Sequence, residues 1–166
     1  MINVHSYESM GTFDGPGLRL VVFLQGCPFR CLYCANPDTI DLQGGKETRP
    51  EYIVNMAVDQ KPFFGKRGGV TFSGGEPFEQ IEAVKYIAHE AHRLRLNVWC
   101  YTGWTWEQIM QDPRKRGLLA YIDVLVDGRF DLKQRSFELK WRGSKNQRVI
   151  VVEESLFKNE VVLLEE

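Results

Sequence analysis

"LRLVVFLQG" (residues 18–26) is a mostly apolar, β-branched run closed by a glycine, and its reading decides the fold. Its apolar residues follow one another instead of alternating with polar ones, which is the pattern of a strand buried on both faces within a parallel sheet. Directly after it comes "CPFRCLYC" (27–34), so three cysteines sit on the loop that leaves this strand. Parallel strands need long crossover connections, usually helical, and the rest of the chain supplies them.

"RPEYIVNMAVDQKPFF" (49–64) has a proline near its start and apolar Ile53, Val54, Met56 and Ala57, and predicts a helix. "GGVTFSGG" (68–75) is a short glycine-bounded strand, and "EQIEAVKYIAHEAHRLR" (79–95) places Ile81, Val84, Ile87, Ala88 and Ala91 at helical spacing. "LNVWCYTG" (96–103) repeats the strand pattern before "WTWEQIMQD" (104–112), where Thr105 is an N-cap ahead of apolar Trp106, Ile109 and Met110. "YIDVLVDGRF" (121–130) is a fourth strand, and the apolar, acidic tail "RVIVVEESLFKNEVVLLEE" (148–166) holds a strand and a terminal helix. Strands alternating with helices predict an α/β fold. A complete eight-unit barrel takes about 250 residues. The 166 residues here therefore predict a partial (β/α) barrel or open parallel sheet of about five or six βα units. No repeat or Pro/Ser-rich linker divides the sequence, so residues 1–166 read as a single domain.

A hydrophobic fraction of 43% with 26% charged residues excludes a disordered chain. The formal net charge of -1 lacks the basic surplus of a protein that neutralises phosphates, so no nucleic-acid partner is expected. There is no apolar run of about 18 residues and no basic-then-apolar N-terminus, so neither a membrane span nor a signal peptide is expected and the predicted location is cytoplasmic. In that reducing compartment clustered cysteines are read as metal ligands or redox groups, not disulfides.

In parallel α/β folds ligands gather at the carboxyl ends of the strands. The distinctive residues fall there: Cys27, Cys31 and Cys34, then "SGGEP" (73–77), "YTG" (101–103) and "VDGRF" (126–130). The cysteine spacing is CxxxCxxC with no second pair, and His5, His89 and His92 lack a ligand spacing, so a closed zinc site is not indicated. His89 and His92 read as surface residues of a helix, and Cys100 as a core residue. Three thiolates can hold three irons of a four-iron cluster and leave one iron with an open position, by the logic that separates catalytic from structural metal sites.

With Tyr33 at the aromatic position of CxxxCxΦC and "GGE" at 74–76, the chain resembles the radical S-adenosylmethionine (SAM) enzymes. The resemblance implies a [4Fe-4S] cluster on Cys27, Cys31 and Cys34. It also implies SAM whose amino and carboxylate groups occupy the open iron, and a 5′-deoxyadenosyl radical that abstracts hydrogen. Tyr33, Ala35, Ser73, Gly74, Gly75 and Glu76 are the implied cofactor-binding residues, with Glu76 an acceptor for the amino group. Thr102 and Gly103 are implied beside the SAM amino acid or ribose, and Asp127 and Arg129 beside its carboxylate and ribose. Asn36 is expected to close the cluster loop through side-chain to backbone bonding. The alternatives are a tight strand-to-helix turn for the glycines, a helix N-terminal acid for Glu76, and a turn aspartate with a solvated arginine for Asp127 and Arg129.

"DGPGLRLVVFLQGCPFRCLYCANPDT" (14–39) is similar to the signature of the small activases that install a glycyl radical in a larger enzyme. "VTFSGGEPFEQ" (70–80), "NVWCYTGWTWEQI" (97–109), "DVLVDGRF" (123–130) and "WRGSKNQRVI" (141–150) resemble the activases of anaerobic, class III ribonucleotide reductase. "QGCPFR", "CLYC" and "DLKQ" lean toward the pyruvate formate-lyase activases, which the chain length disfavours. The resemblance implies a glycyl radical enzyme as partner, anaerobic ribonucleotide reductase first, and a one-electron donor such as flavodoxin or ferredoxin. Asp14, Gly15 and Gly17 would meet the partner's glycine loop or simply form a turn before the strand. Two other readings stay open: a radical SAM enzyme acting on a small molecule, as in 7-carboxy-7-deazaguanine synthesis, and an iron–sulfur electron carrier that needs Cys100 as a fourth thiolate.

Overall fold

The computed structural model describes residues 1–29 and 44–165. Cys31, Tyr33, Cys34, Ala35 and Asn36 lie outside the described residues. Among the described residues seven strands form one sheet: β1 (Ile2–Gly11), β2 (Arg19–Leu24), β3 (Lys46–Thr48), β4 (Gly69–Gly74), β5 (Asn97–Tyr101), β6 (Val124–Asp127) and β7 (Arg148–Val151), in the order β3-β1-β2-β4-β5-β6-β7. Helices α1 (Pro50–Phe64), α2 (Ile81–Arg93), α3 (Trp106–Met110), α4 (Pro113–Leu119) and α5 (Val152–Lys158) punctuate them.

The 18–26 run forms β2 and runs parallel to β4 inside the sheet, with Leu20, Val21, Val22 and Leu24 all buried, as its unbroken apolar pattern requires. β4–β5 and β5–β6 are also parallel, whereas β1, β3 and β7 pair antiparallel at the flanks. The parallel part is therefore four strands wide, narrower than the five or six βα units read from the sequence. A physical reason lies in the connections. Residues 12–18 between β1 and β2 hold no helix, and residues 128–147 between β6 and β7 hold only one 3-10 turn, Leu132–Gln134. Without a crossover helix the chain returns antiparallel.

Strand alternation gives the sheet two unlike faces. Leu20, Val22, Leu24, Val70, Phe72, Val98, Cys100, Leu125 and Ile150 share one apolar cluster with the buried residues of the helices, among them Ile53, Val84, Ile87, Ile109 and Leu118. The helices thus bury their apolar residues against a single face. The other face carries a small cluster of Trp99, Val124, Val126 and Val149, packed by Tyr101 and Trp141. α2 buries the five apolar positions read from its spacing. α3 starts with a capping box in which Thr105 Oγ1 accepts from Gln108 N at 3.2 Å and Thr105 N donates to Gln108 Oε1 at 2.9 Å. The tail forms β7 and α5, and Leu164 N then donates to the Val149 carbonyl at 2.8 Å as the chain returns along β7. Among the described residues no helix is long and apolar enough to cross a membrane.

At the amino end of the parallel strands Arg19 is fully buried, and each of its five N–H groups is taken. Nε donates to Thr71 Oγ1 (2.7 Å), Nη1 to the carbonyls of Pro16 (3.0 Å) and Arg67 (3.2 Å), and Nη2 to the Val70 carbonyl (3.1 Å) and Asn97 Oδ1 (2.6 Å). This network closes the end of the sheet away from the strand-following loops.

Candidate functional site

The loops that leave β2, β4, β5 and β6 converge on a cleft of about 530 Å³ at the carboxyl ends of the parallel strands. Cys27 and Phe29 line it from the loop after β2, and Ser73, Gly74, Gly75 and Glu76 from the loop after β4. Thr102 and Gly103 follow β5, and Gly128 and Arg129 follow β6. Asp14, between β1 and β2, and Leu139 to Gly143, between β6 and β7, complete the wall. Four loops that are far apart in sequence thus meet because parallel strands all end on one side of the sheet.

Glu76 is the chemical centre of the described part of this cleft. It is 1% exposed, and among the described residues its carboxylate is held by neutral donors: Oε2 accepts from Phe78 N at 2.9 Å and Thr102 Oγ1 at 2.8 Å, and Oε1 from Gly103 N at 2.7 Å. Its residue caps the 3-10 turn Pro77–Glu79. Burial pushes its pKa up to about 7, against the pull of the three hydrogen bonds. Among the described residues no cation pairs with it. A carboxylate offers about four lone-pair directions, and the described residues fill three of them on a side chain that lines the cleft. Thr102 Oγ1 also accepts from Trp104 N at 3.1 Å, which fixes the hydroxyl so that its proton points to Glu76.

The glycines before Glu76 are required by crowding. Gly75 N donates to the Leu24 carbonyl at 2.7 Å and Glu76 N to the Gly26 carbonyl at 2.8 Å, so the loop after β4 is laced to the base of the cysteine loop. A Cβ on Gly75 would collide with the Gly26 carbonyl, and Gly74 sits at φ 79° with Leu24 N 2.9 Å from where its Cβ would be. This close approach explains both glycines by itself, and it also places Glu76 beside Cys27 on one cleft wall.

Asp127 is placed differently from the residues around it. It is 1% exposed, does not line the cleft, and has its carboxylate occupied: Oδ2 accepts from Trp106 N at 2.8 Å and Arg148 Nη2 at 2.6 Å, and Oδ1 from Arg148 N and Nε at 3.2 and 3.1 Å. Arg148 continues to Glu107 at 2.7 Å, and these charges raise its pKa. Arg129 is exposed at the mouth and stacks its guanidinium 4.4 Å over the Phe29 ring. Asp14 has its pKa raised to about 6, chiefly by burial. Cys100 is fully buried on the helix-covered face, with its thiol pushed up by burial, and is not part of the cleft. His89 is exposed, and His92 Nε2 pairs with Asp123 Oδ2 at 2.8 Å, which raises its pKa. Among the described residues no three His, Cys, Asp or Glu side chains surround a common point.

Two contributors escaped the sequence reading. Arg148, on β7, holds Asp127, and Phe29, inside the cysteine loop, packs against Trp104 and Arg129. The adjacency of Phe29 to Cys27 was a signal for the latter; Arg148 had none.

The 4Fe-4S single cluster domain family matches residues 13–150. The chain is 34% identical to the anaerobic ribonucleoside-triphosphate reductase-activating protein of Vibrio cholerae over 151 residues, 88% of this chain and 96% of that protein. It is 54% identical over 83 residues to the pyruvate formate-lyase-activating enzyme of Clostridium pasteurianum, and 51% identical over 83 residues to the pyruvate formate-lyase 1-activating enzyme of Escherichia coli (strain K12). Those matches take in 49% of this chain, and 35% and 34% of the two enzymes.

Proposed function

The chain belongs to the 4Fe-4S single cluster domain family and to that of the anaerobic ribonucleoside-triphosphate reductase-activating proteins, and from that premise we propose that it is a radical SAM activase. It cleaves S-adenosylmethionine reductively and takes a hydrogen atom from a glycine of a partner enzyme. The observation that carries this reading is Glu76: a buried carboxylate that, among the described residues, has three neutral donors and no cation, and lines the same cleft as Cys27. An amino group arriving there completes its hydrogen bonding, so the residues present fit the cofactor pair.

Cys27, Cys31 and Cys34 would hold a [4Fe-4S] cluster, and Tyr33 and Ala35 belong to the same stretch of sequence. When bound, the cluster and SAM supply one-electron cleavage and hydrogen abstraction that no side chain can perform. The chain's own residues bind and orient. Glu76 accepts from the methionyl amino group, and the Thr102 hydroxyl and Gly103 N keep that carboxylate aimed into the cleft. Ser73 and the narrow Gly74–Gly75 backbone let the ligand lie close against the strand end. Arg129 contributes positive charge for a carboxylate, and Asp127, through Arg148 and Trp106 N, fixes the turn that carries it. Phe29, Phe130, Leu139 and Trp141 make the wall apolar and exclude water from a reactive centre.

The partner is anaerobic ribonucleotide reductase, because the relative that this chain matches along nearly its whole length activates that enzyme. A second reading, pyruvate formate-lyase, is favoured by the higher identity across the shorter match. A flavodoxin or ferredoxin supplies the electron. The test is anaerobic reconstitution, followed by reductant, SAM and each partner in turn. A glycyl radical EPR signal in the reductase is expected. A signal in the formate-lyase alone would move the partner, and failure to cleave SAM with either would overturn the activase reading.

A further inference from the structure

Phe29 is 5% exposed although it lies on the cysteine loop, two residues past Cys27. Its ring rests on Gly103, where an added Cβ would stand 2.5 Å from the ring carbons. It meets the Trp104 ring at 4.8 Å and 73°, an edge-to-face packing, and carries the Arg129 guanidinium at 4.4 Å. Loops after β2, β5 and β6 therefore meet on one side chain. Gly103 N is also a donor to Glu76 (2.7 Å), so the surface that seats Phe29 is the surface that aims the carboxylate.

We propose that Phe29 is a positioning residue: its ring, clamped between Gly103, Trp104 and Arg129, fixes Cys27, which would be a cluster ligand, relative to Glu76, which would receive the amino end of SAM. Arg129 acts in this clamp as the lid of the ring. The inference rests on the activase reading for its ligands, but the clamp itself is a property of the chain without them.

Wild type, Phe29→Ala, Phe29→Leu and Phe29→Tyr are reconstituted anaerobically, and the EPR spectrum of the reduced cluster is followed during SAM titration. Loss of a group that orients a metal ligand typically weakens binding about 10- to 100-fold. Phe29→Ala is expected to need that much more SAM to reach the wild-type spectrum, while Phe29→Tyr, which keeps a ring for Arg129, stays near wild type. Loss of the cluster from a folded Phe29→Ala chain that Phe29→Tyr retains also supports the clamp. If Phe29→Ala does not fold, Phe29→Leu, which keeps apolar bulk without a ring face, replaces it. A titration that superposes on wild type overturns the proposal. If wild type holds iron but never responds to SAM, the activase reading fails instead, and the clamp is judged by melting temperatures of the iron-free Phe29→Ala, Arg129→Ala and double variants. Additive shifts would then overturn it; a double variant no worse than Phe29→Ala alone supports it.

Discussion

Arg19 and Glu76 are both buried ionisable groups without an ion-pair partner among the described residues, and they stand at opposite ends of the parallel strands. Arg19 has all five donors filled by carbonyl and side-chain oxygens, and burial only lowers its pKa to about 10, so it stays charged. Glu76 has three acceptor directions filled by the described residues, lines a cleft, and sits near the point where it exchanges its proton at neutral pH. A buried charge whose valences are all used is a structural tie. A buried carboxylate at a cleft wall with no cation among the described residues is what the proposed receptor for an amino group requires.

The largest effect is expected at the structural end. Arg19→Met removes the guanidinium donors of the Asn97 amide oxygen and of the Pro16 and Val70 carbonyls, while the Arg67 carbonyl keeps its bond from Asn97 Nδ2. Each orphaned buried acceptor costs about 1–3 kcal/mol, though relaxation and water recover part of the sum. A loss of about 3 kcal/mol or more, seen as a fall in melting temperature of roughly 10 °C, is the expected result. Affinity for SAM in the folded fraction should not change. A stable Arg19→Met chain with impaired SAM binding would reverse the comparison.

How far the sequence revealed this division depended on the reach of each interaction. β2, β5 and β6 were legible because strands buried on both faces carry continuous apolar runs, β4 because glycines bound it, and Thr105 announced α3 through a contact only three residues long. β1 was not: Ile2 and Val4 begin an alternation, but a register shift between Val4 and Ser6 breaks the phase and leaves a polar stretch. The α4 signals, Asp112 as cap and Pro113 in the first turn, were present but belong to a seven-residue helix too short to show periodicity. In the cleft, the cysteines, "GGE" and "TG" stood out by residue type. That Asp127 would face Arg148 instead of the cleft depends on β6–β7 pairing, and that Gly103 would seat Phe29 depends on two loops meeting; neither leaves a local mark.

The pH dependence of the ligand-free protein sharpens the contrast. Glu76 has a folded pKa near 7 against an ordinary 4.5, so the folded state holds its proton longer than the unfolded state does. Its contribution is fully present below about 4.5 and is lost as pH rises through about 7, by an amount on the order of 3 kcal/mol. Asp14, raised to about 6, adds a slope of the same sign at lower pH, so the diagnostic is the difference between wild type and Glu76→Gln. Urea unfolding between pH 5 and 8 should show wild type losing stability relative to Glu76→Gln, and Glu76→Gln should also bind SAM poorly. Parallel stability curves would mean that Glu76 carries no uncompensated charge, and the receptor reading would lose its basis.

The smallest effect is expected at a third buried ionisable group, which avoids the choice by staying neutral. Cys100 lies on the helix-covered face of β5 in the apolar cluster, where burial raises its thiol pKa well above the ordinary value. Its side chain turns away from the cleft because Tyr101 and Trp99, its strand neighbours, face the opposite side of the sheet. Cys100→Ala removes one sulfur from close packing and should cost about 1–2 kcal/mol, or a few degrees in melting temperature. Iron per chain after reconstitution should equal wild type, whereas Cys27→Ala, at the cleft wall, should lose the cluster. Equal iron loss in both variants would make Cys100 a fourth ligand and turn the site into a closed electron-transfer centre, because a four-iron cluster with a thiolate on each iron has no open position left for SAM.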